Sequence, residues 1–512
     1  MRSTSELNAL FEPLGSRVLG LLLLVQDAAY GTLLLEPRRA LHARIAETLQ
    51  SQFTEIAENQ PELLARHCTE AGLIEQAASL WGKAGQRSLE RSALVEAAEQ
   101  ITRALDQIAA VPATPALRRE EIKLQVALAN ALMHVEGYAA PETKAAVEQA
   151  RVFIERAEEL GESPHDPLLL FSVLYGVWAV NALAFNGDTL RDLAAQFLAL
   201  AEKQAATAPL LIAHRIMGVS LLYAGDFAKA RMHLEQAITL YDPTEHRPLA
   251  TRFGQDAAVH ALSYRSLALW SLGYPEAAKV DIDQAISDAR EISQAATLMT
   301  ALNNTGVTHI CCRNYAAANA ELAELVALAD EKGALYWKVC GMASQGCLFA
   351  QTGKTSDAVR MLTSGITAYR STGATLWAPF HLSNLATSYA SLGRLEDAWR
   401  CVGETMTAVA TTKEKWFEAE VHRIAGDIAL LPPEPDAAKA EAYFERALTV
   451  ARKQQAKSWE LRAAMSMARL WRDQGKCTEA RDLLAPIYRW FTEGFDTRDL
   501  KEAKVLLDAL SS

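Results

Sequence analysis

In the stretch from 214 to 240, apolar residues recur with helical spacing on both sides of a short turn. The first predicted helix ends at Gly225, which adopts the left-handed conformation that terminates a helix. Asp226 then suits the N-terminus of the next helix, as a cap and through the helix dipole. Gly218 and Ala230 leave room for the two helices to approach closely. The pattern therefore predicts a helical hairpin.

The same hairpin pattern recurs along the second half of the chain in two columns of small residues. The first column stands at steps of 48, 40, 40, 40, 40 and 42 residues: Gly218, Ser266, Gly306, Gly346, Ala386, Gly426 and Ala468. An alanine follows each of them after twelve residues, or fourteen in one case: Ala230, Ala278, Ala318, Ala358, Ala398, Ala440 and Ala480. Two columns that keep one period predict a helical-repeat scaffold.

The rest of the chain is also helical in pattern but less regular. Helical periodicity predicts irregular repeats over 61–205 and regular repeats over 206–512, with a proline-bearing connection at 111–120. The 48-residue step contains a longer loop near 242–251. Strand-like alternation bounded by turn pairs is missing, so we expect an all-α protein of roughly twenty helices. A chain of 512 residues is long for one globular core and suits a solenoid.

Two apolar runs raise the alternative of a membrane segment. The run 18–25 is too short to span a bilayer, and it lacks the features of a signal peptide. The run 167–185 is almost uncharged, but a solenoid helix is covered by neighbours on both sides. We interpret both runs as buried helices.

Net charge and cysteine usage restrict the partners and the compartment. The formal net charge is −11, so binding to a phosphate backbone is disfavoured. The seven cysteines form no C-x-x-C motif, and no secretion signal is evident, which favours reduced thiols in the cytoplasm.

No motif predicts a catalytic, cofactor or metal site. Gly353-Lys354-Thr355 ends like a phosphate-binding loop, but Leu348 stands where the first glycine is required, and no strand precedes the triplet. His309 and Cys312 share a helix face, yet two ligands do not make a zinc site. Nothing else in the sequence supports a nucleophilic cysteine. We therefore expect no enzyme activity and neither cofactor nor metal.

Four tryptophans form a ladder at the starts of successive first helices: Trp337, Trp377, Trp416 and Trp459. The favoured interpretation is packing of each repeat onto the preceding one, because burial of an indole ring is a large gain. An aromatic ligand surface is the alternative.

A partner-binding face follows if the first helices line a concave surface, as in stacked repeats. Positions −6, −3, +1 and +4 from each small residue share one helix face. In the later repeats this counting selects a candidate surface for a protein or peptide partner, or for a compact ligand. Its residues are His260, Trp270, Asn303, Phe380, Thr387, Glu420, Arg423, Asp427, Arg462, Arg469 and Arg472. The arginines at the far end suit a carboxylate.

The columns resemble the tetratricopeptide repeat. The match is closest within 214–240, at Gly218, Leu221, Gly225, Asp226, Phe227, Ala230, Leu234 and Ala237. Other copies depart from the pattern: Arg313-Asn314 and Pro433 replace turn glycines, and the period is 40 instead of about 34. The resemblance implies an all-α, right-handed α-solenoid of tetratricopeptide-like hairpins.

A more specific resemblance covers about residues 25–512. VQDAAYGTLL, RRALHARIAETL and the segment beginning ARHCTEAGLIEQAASLWGKAGQ are similar to the C-terminal region of bacterial signalling proteins. Those proteins join a class III adenylate or guanylate cyclase, a signal-transducing ATPase of the AAA-related (STAND) type and a tetratricopeptide-like tail. The resemblance implies that 1–60 is a remnant of a winged-helix, ATPase-linked segment. It also implies that the catalytic modules are absent from this chain.

These observations lead to one favoured function and two alternatives. The favoured function is a non-catalytic, cytoplasmic scaffold for protein–protein interaction or signal sensing that controls an attached or partner ATPase or cyclase. A small-molecule sensor is the first alternative, and it would show a closed pocket instead of an open groove. The second alternative is a cyclase or ATPase label inherited from full-length relatives, without catalytic residues here. We expect neither nucleic acid nor membrane as a partner.

Overall fold

The computed structural model describes residues 34–162 and 166–511, and these residues form 25 α-helices, one 3-10 helix and no strand. The all-α solenoid of helix hairpins predicted from the repeat columns is thereby confirmed. The apolar run 18–25 and nearly all of the winged-helix remnant lie outside the described residues. The boundaries at 60 and 205 stay predictions.

The first seven helices precede the apolar run 167–185. They are α1 (Leu35–Gln52), α2 (Thr54–Asn59), α3 (Pro61–Ala71), α4 (Ile74–Glu90), α5 (Leu94–Ala109), α6 (Pro115–Val135) and α7 (Pro141–Glu159).

The remaining helices form successive hairpins. They are α8 (Leu168–Leu183), α9 (Gly187–Gln204), α10 (Thr207–Tyr223), α11 (Phe227–Leu240), α12 (Pro243–His246), then a 3-10 helix (Arg247–Thr251), α13 (Ala257–Leu272), α14 (Pro275–Ile292), α15 (Ala295–Cys311), α16 (Tyr315–Glu331), α17 (Leu335–Gln351), α18 (Thr355–Ser371), α19 (Ala378–Ser391), α20 (Leu395–Thr412), α21 (Glu418–Ala429), α22 (Ala437–Lys453), α23 (Lys457–Asp473), α24 (Cys477–Trp490) and α25 (Arg498–Ala509).

The chain divides into two compact units. The described part of the first unit comprises 34–86 and 99–117, and that of the second comprises 87–98, 118–162 and 166–511. In the first unit, Trp81 is buried and donates its indole N–H to Thr69 Oγ1 at 3.0 Å. The guanidinium of Arg103 covers the same ring at 4.8 Å from its centroid. Everything below concerns the second unit.

The hairpin of α10 and α11 has the predicted construction. Gly225 follows the end of α10 with φ of 81°, a left-handed conformation that glycine adopts without strain. The carboxylate of Asp226 caps α11 by accepting from the backbone N–H of Lys229 at 3.3 Å. A Cβ atom on Gly218 would lie 2.6 Å from Cγ of Leu234. The small residue is therefore what allows the two helices to approach.

Later hairpins keep the close approach and vary the turn. A Cβ atom on Gly426 would lie 2.4 Å from the ring of Phe444, and the alanines of the second column are fully buried. At the degenerate turn after α15, Arg313 itself adopts φ of 59° in place of a glycine. The repeat geometry is thus preserved where the turn sequence departs from the pattern.

No helix within the described ranges is long and apolar enough to cross a membrane. The apolar α8 is instead a core helix, in which Phe171, Tyr175 and Trp178 are all buried.

The second unit winds tightly enough to close on itself. Carbonyl groups near the ends of three first helices accept hydrogen bonds from segments five hairpins further along: Leu183 from the N–H of Thr375 (2.7 Å), Tyr223 from the N–H of Lys415 (2.8 Å) and Trp270 from the hydroxyl of Ser458. Carbonyl groups at helix ends lack partners within their own helix, and these long-range bonds provide them, in addition to the Gly273 N–H in the case of Trp270. The faces of the first helices consequently line a closed interior.

Candidate ligand site in the repeat interior

Most residues of the predicted partner face lie in this interior. Six are buried: His260, Trp270, Asn303, Phe380, Glu420 and Arg462. Four are partly accessible, namely Thr387, Arg423, Asp427 and Arg469, and Arg472 is exposed. The structure thus replaces the expected open groove by a packed interior over most of this face, because the winding brings distant first helices into contact. A partner-binding role for the accessible residues stays a prediction.

The C-terminal part of the interior holds a cluster of charges that neutralise one another. Arg423 binds both carboxylate oxygens of Glu420 at 2.7 Å and also contacts Asp427. Burial alone would lower the pKa of Arg423, but the two carboxylates outweigh it and raise that pKa. We call Glu420, Arg423, Asp427, Arg462 and Asp499 the ion-pair cluster.

Arg462 is the most buried cation of the ion-pair cluster. Its Nε donates to Asp499 Oδ2 at 2.8 Å, and its Nη2 donates to the carbonyl of Cys311. Its guanidinium also lies 5.1 Å from the ring centroid of Trp270. Burial acts to raise the pKa of Asp499, yet Arg462 and Arg313 hold it below its usual value. Arg462 therefore has both a carboxylate and a carbonyl acceptor within the chain.

The N-terminal part of the interior is different, because it contains a small cavity with an aromatic wall. We call this cavity, of about 40 Å³, the aromatic chamber. Its lining includes eight tyrosine and tryptophan side chains: Tyr138, Tyr175, Trp178, Tyr223, Tyr264, Tyr336, Trp337 and Trp377. Burial raises the pKa of the Tyr138, Tyr175 and Tyr223 hydroxyls, and it raises that of Tyr264 to about 12. The tyrosines are therefore neutral hydrogen-bonding groups.

Arg215 stands behind this wall, and the residues that the structure describes form no ion pair with it. Its side chain belongs to α10 and is 0% exposed. Its guanidinium lies 4.9 Å from the ring centroid of Tyr175. Within the described residues, none of its three nitrogen atoms has a hydrogen-bond partner. A buried guanidinium without an acceptor is costly, since arginine cannot lose its proton.

Further unpartnered polar atoms surround the aromatic chamber. Gln255 Oε1, His260 Nδ1, Asn303 Oδ1 and the Tyr175 hydroxyl are buried and lack hydrogen-bond partners in the described part of the chain. Arg215 and Gln255 both lie close enough to the Tyr175 hydroxyl to lower its pKa without meeting hydrogen-bond geometry. Burial, and then Arg215, hold the pKa of His260 well below its usual value. The chamber thus combines one cation with neutral polar groups.

The longer loop in the 48-residue step supplies part of this site. After the 3-10 helix the chain turns inward, and Gly254 accepts a hydrogen bond from His134 Nε2 at 3.1 Å. The amide of Asn130 donates to the carbonyls of Thr251 and Arg252 at 3.1 and 2.6 Å. These contacts hold Gln255 against the chamber. The departure from the regular period therefore has a structural role at the site.

The tryptophan ladder serves packing, and two of its members also line the aromatic chamber. Trp377 and Trp416 pack edge to face with centroids 5.2 Å apart, and Trp459 packs on Trp270 of a distant repeat at 4.6 Å. Trp337 donates its indole N–H to His134 Nδ1 at 3.0 Å. The packing interpretation holds for the ladder, and Trp337 and Trp377 meet the aromatic-surface alternative as well.

A buried acid near Trp377 shows how an unpaired carboxyl group is accommodated. Glu414 is 0% exposed and accepts hydrogen bonds from the N–H of Trp377 at 3.0 Å and from the indole of Trp416 at 2.9 Å. Burial raises its pKa to about 8, against the opposing effect of these bonds. At neutral pH the group is mostly protonated and carries little charge.

The other residues considered for chemistry lie in ordinary repeat positions. His309 Nε2 is 3.4 Å from Glu321, and the described residues hold no cluster of three or more metal-ligating side chains. Burial raises the pKa of the Cys311 thiol well above its usual value, and it raises the pKa of Cys312 to about 12, so neither is a thiolate at neutral pH. Gly353 lies in the turn between α17 and α18 with φ of 79°.

Arg215 is the main site residue that the sequence reasoning missed. It occupies the position three residues before the small residue of its repeat, the same position as Asn303 and Arg423. The counting of the partner face began one repeat later. An arginine between Ile212 and Ile216 in the most regular repeat was the signal that could have identified it.

Comparison with known proteins yields distant similarities. No protein-family model matches the chain. The uncharacterized protein R02095 of Rhizobium meliloti (strain 1021) is 24% identical over 457 residues, which cover 87% of this chain and 43% of that protein. The chain thus spans less than half the length of this curated relative.

Among solved structures the chain is similar to several helical proteins. A Rap protein complexed with competence and sporulation factor is 12% identical, with 77% of this chain and 99% of that chain covered and a TM-score of 0.48. The Cut9–Hcn1 hetero-tetramer of APC/C is 13% identical, with 96% and 99% covered and a TM-score of 0.47. Yeast Tom70 is 12% identical, with 92% and 96% covered and a TM-score of 0.33.

Proposed function

We propose that this chain is a non-catalytic regulatory module that senses a small-molecule signal inside its repeat unit. The observation that carries this proposal is the aromatic chamber, where the first-helix face closes around polar atoms that lack partners among the described residues. A sensor was expected to show a closed pocket, and an interaction scaffold an open groove. Buried unpartnered polar groups are characteristic of sites completed by another molecule.

The output of the sensor is proposed to be an attached or partner ATPase or nucleotide cyclase. This choice is supported by the resemblance of the N-terminal segments to the tails of cyclase–ATPase signalling proteins. Ligand binding would favour one winding of the repeat unit, because the chamber is built from helices that are distant in sequence. A change in winding would alter the surface offered to the partner.

A thermal-shift experiment tests the sensing role. The purified chain is incubated with the small-molecule fraction of a bacterial lysate, and its unfolding temperature is measured. A sensor is stabilised by its ligand because the ligand binds the folded state alone. An unchanged unfolding temperature across fractionated and concentrated extracts would contradict the proposal.

Protein–protein interaction through the accessible end of the predicted face is the second candidate. Arg472 is exposed, and Arg469 is partly accessible beside Glu502 at 3.5 Å. If this end binds a protein, Arg469→Glu will weaken capture of an ATPase or cyclase by the immobilised chain. Equal capture by the variant and the wild type would show that this face does not take part in the interaction.

A further inference from the structure

The buried guanidinium of Arg215 needs a hydrogen-bond acceptor, and no described residue provides one. Burial of an unpaired ion costs several kcal/mol even after relaxation of its surroundings. An acid in this position can neutralise itself by taking up a proton, as Glu414 does. A guanidinium has no such route within the range of protein stability. An anion from outside the chain would meet the requirement.

Other buried or half-buried arginines of the unit show what a satisfied site looks like. Arg265 binds both oxygens of Asp281 at 2.7 and 2.8 Å. Arg423 binds Glu420 and Asp427, and the ion-pair cluster pairs Arg462 with Asp499. The partner is a carboxylate in every case, which is the group whose geometry matches the guanidinium fork. Arg215 has the same donors and no carboxylate.

The size of the aromatic chamber limits the anion. One water molecule needs roughly 10–15 Å³ of such volume, so about 40 Å³ accommodates about three water-sized groups. That space fits a carboxylate with one or two carbon atoms. The single cation and the neutral tyrosines around it do not favour a multiply charged anion.

We propose, on the basis of the sensing function above, that the aromatic chamber binds a small monocarboxylate anion through the guanidinium of Arg215. Arg215 lies behind the Tyr175 ring and not in the cavity lining, so the ring turns aside for the carboxylate to accept two parallel N–H donors from the guanidinium. The Tyr175 hydroxyl, which has no partner among the described residues, provides a neutral donor at a remaining lone pair. The tryptophan and tyrosine rings exclude water from the ion pair, which strengthens it.

The binding test uses the purified full chain with ¹³C-labelled formate and acetate in separate titrations followed by NMR. Wild-type protein is expected to bind at least one of them saturably. Arg215→Met should abolish binding, and Arg215→Lys should weaken it at least tenfold, because a lysine lacks the bidentate fork. Arg360→Met is the matched control, since Arg360 is exposed and pairs with Asp357, and it should bind as the wild type does.

A substitution that supplies the carboxylate within the chain tests the same site without a ligand. Gln255→Glu keeps the side-chain shape and places a carboxylate beside the Tyr175 hydroxyl, where Arg215 also lies. We expect this variant to unfold at a higher temperature than the wild type at pH 7 and to bind neither formate nor acetate. A lower unfolding temperature together with unchanged binding would overturn the proposal.

The failure of this inference can be told apart from failure of the sensing function. If a lysate fraction stabilises the wild type but not Arg215→Met, while formate and acetate do not bind, then sensing stands and the monocarboxylate class is wrong. If the chain binds phosphate and neither formate nor acetate, the assignment of the ligand as a monocarboxylate is also wrong. Equal binding of formate or acetate by the wild type, Arg215→Met and Arg360→Met would reject the site.

Discussion

Arg215 and Arg423 occupy the same position in two repeats, three residues before Gly218 and Gly426. Both are carried by first helices toward the interior of the closed solenoid. Arg423 is surrounded by two acids from its own helix, one turn away on either side. Arg215 has Ile212 and Val219 at the corresponding positions. The same repeat position therefore holds an arginine with carboxylate partners, Arg423, in one repeat. In the other repeat it holds an arginine without a partner among the described residues, Arg215.

The comparison indicates that the two ends of the interior have different roles. The ion-pair cluster is complete without any other molecule, so its charges fix the relative positions of α15, α21, α23 and α25. The aromatic chamber is incomplete, since its cation and several polar atoms have no partner within the described residues. Incomplete polar networks lower stability, and they persist where binding completes them.

The largest effect is expected from breaking the ion-pair cluster. Arg462→Met removes the closest cation of the buried Asp499 and leaves Arg313 at 3.2 Å from it. Removal of one partner of a buried pair costs about 3–5 kcal/mol. Guanidinium-induced unfolding of the variant and the wild type measures this loss. A loss below about 1 kcal/mol would show that the cluster does not hold the repeats together.

The pH dependence of Glu414 sharpens the contrast between an acid and an arginine that both lack an ion-pair partner. Burial raises the folded-state pKa of Glu414 to about 8, above the value near 4.5 in the unfolded chain. The folded state therefore holds more protons between these values, and stability falls as pH rises from 4.5 to 8, at up to about 1.4 kcal/mol per pH unit.

Glu414→Gln should remove this part of the pH dependence and gain about 3 kcal/mol relative to the wild type by pH 8. Unfolding curves at pH 5, 6, 7 and 8 for both proteins give the difference directly. Parallel curves over this range would mean that Glu414 ionises normally.

The small-residue column should matter equally in both regions. Gly218→Ala and Gly426→Ala each place a methyl group within 2.6 Å of a facing side chain. Overpacking of this kind costs about 1–3 kcal/mol. Gly403→Ala is the control, because nothing lies within 4 Å of its added Cβ in the middle of α20, and it should be neutral or stabilising. Destabilisation confined to one region would limit the hairpin geometry to that region.

The smallest effect is expected at a surface ion pair. Arg360→Met removes the exposed contact with Asp357 at 3.0 Å. Exposed pairs contribute below about 1 kcal/mol. Thermal unfolding should therefore hardly distinguish this variant from the wild type. A loss as large as that of Arg462→Met would mean that burial does not explain the difference between these arginines.

The sequence predicts the hairpins well because their determinants are local. Gly218, Ala230 and the turn at Gly225 and Asp226 fall within thirteen residues, and the structure confirms the construction. The departures from the repeat pattern at Arg313 and near 242–251 are visible in the sequence. The inward path of the loop near 242–251 is not predictable from that departure. A turn sequence specifies its own backbone and does not say what a longer loop will contact.

The closed interior could not be predicted because it depends on the winding of many repeats. A small change in the angle between neighbouring hairpins adds up over five of them and decides whether Tyr223 meets Lys415 or faces an open groove. The predicted partner face at His260 and Asn303 lies in this interior, where both residues are buried, and its role in partner binding stays a prediction. Arg215 was missed because the face was counted from the second regular repeat.

The most direct test of the account compares Arg215→Met with Arg423→Met in carboxylate-free buffer. The two substitutions remove the same side chain from the same repeat position, and guanidinium-induced unfolding gives both changes in free energy. We expect Arg423→Met to lose about 3 kcal/mol, because it leaves two carboxylates without their cation, and Arg215→Met to be neutral or stabilising. An equal loss in both variants would contradict the account, since it would mean that Arg215 is already satisfied within the chain.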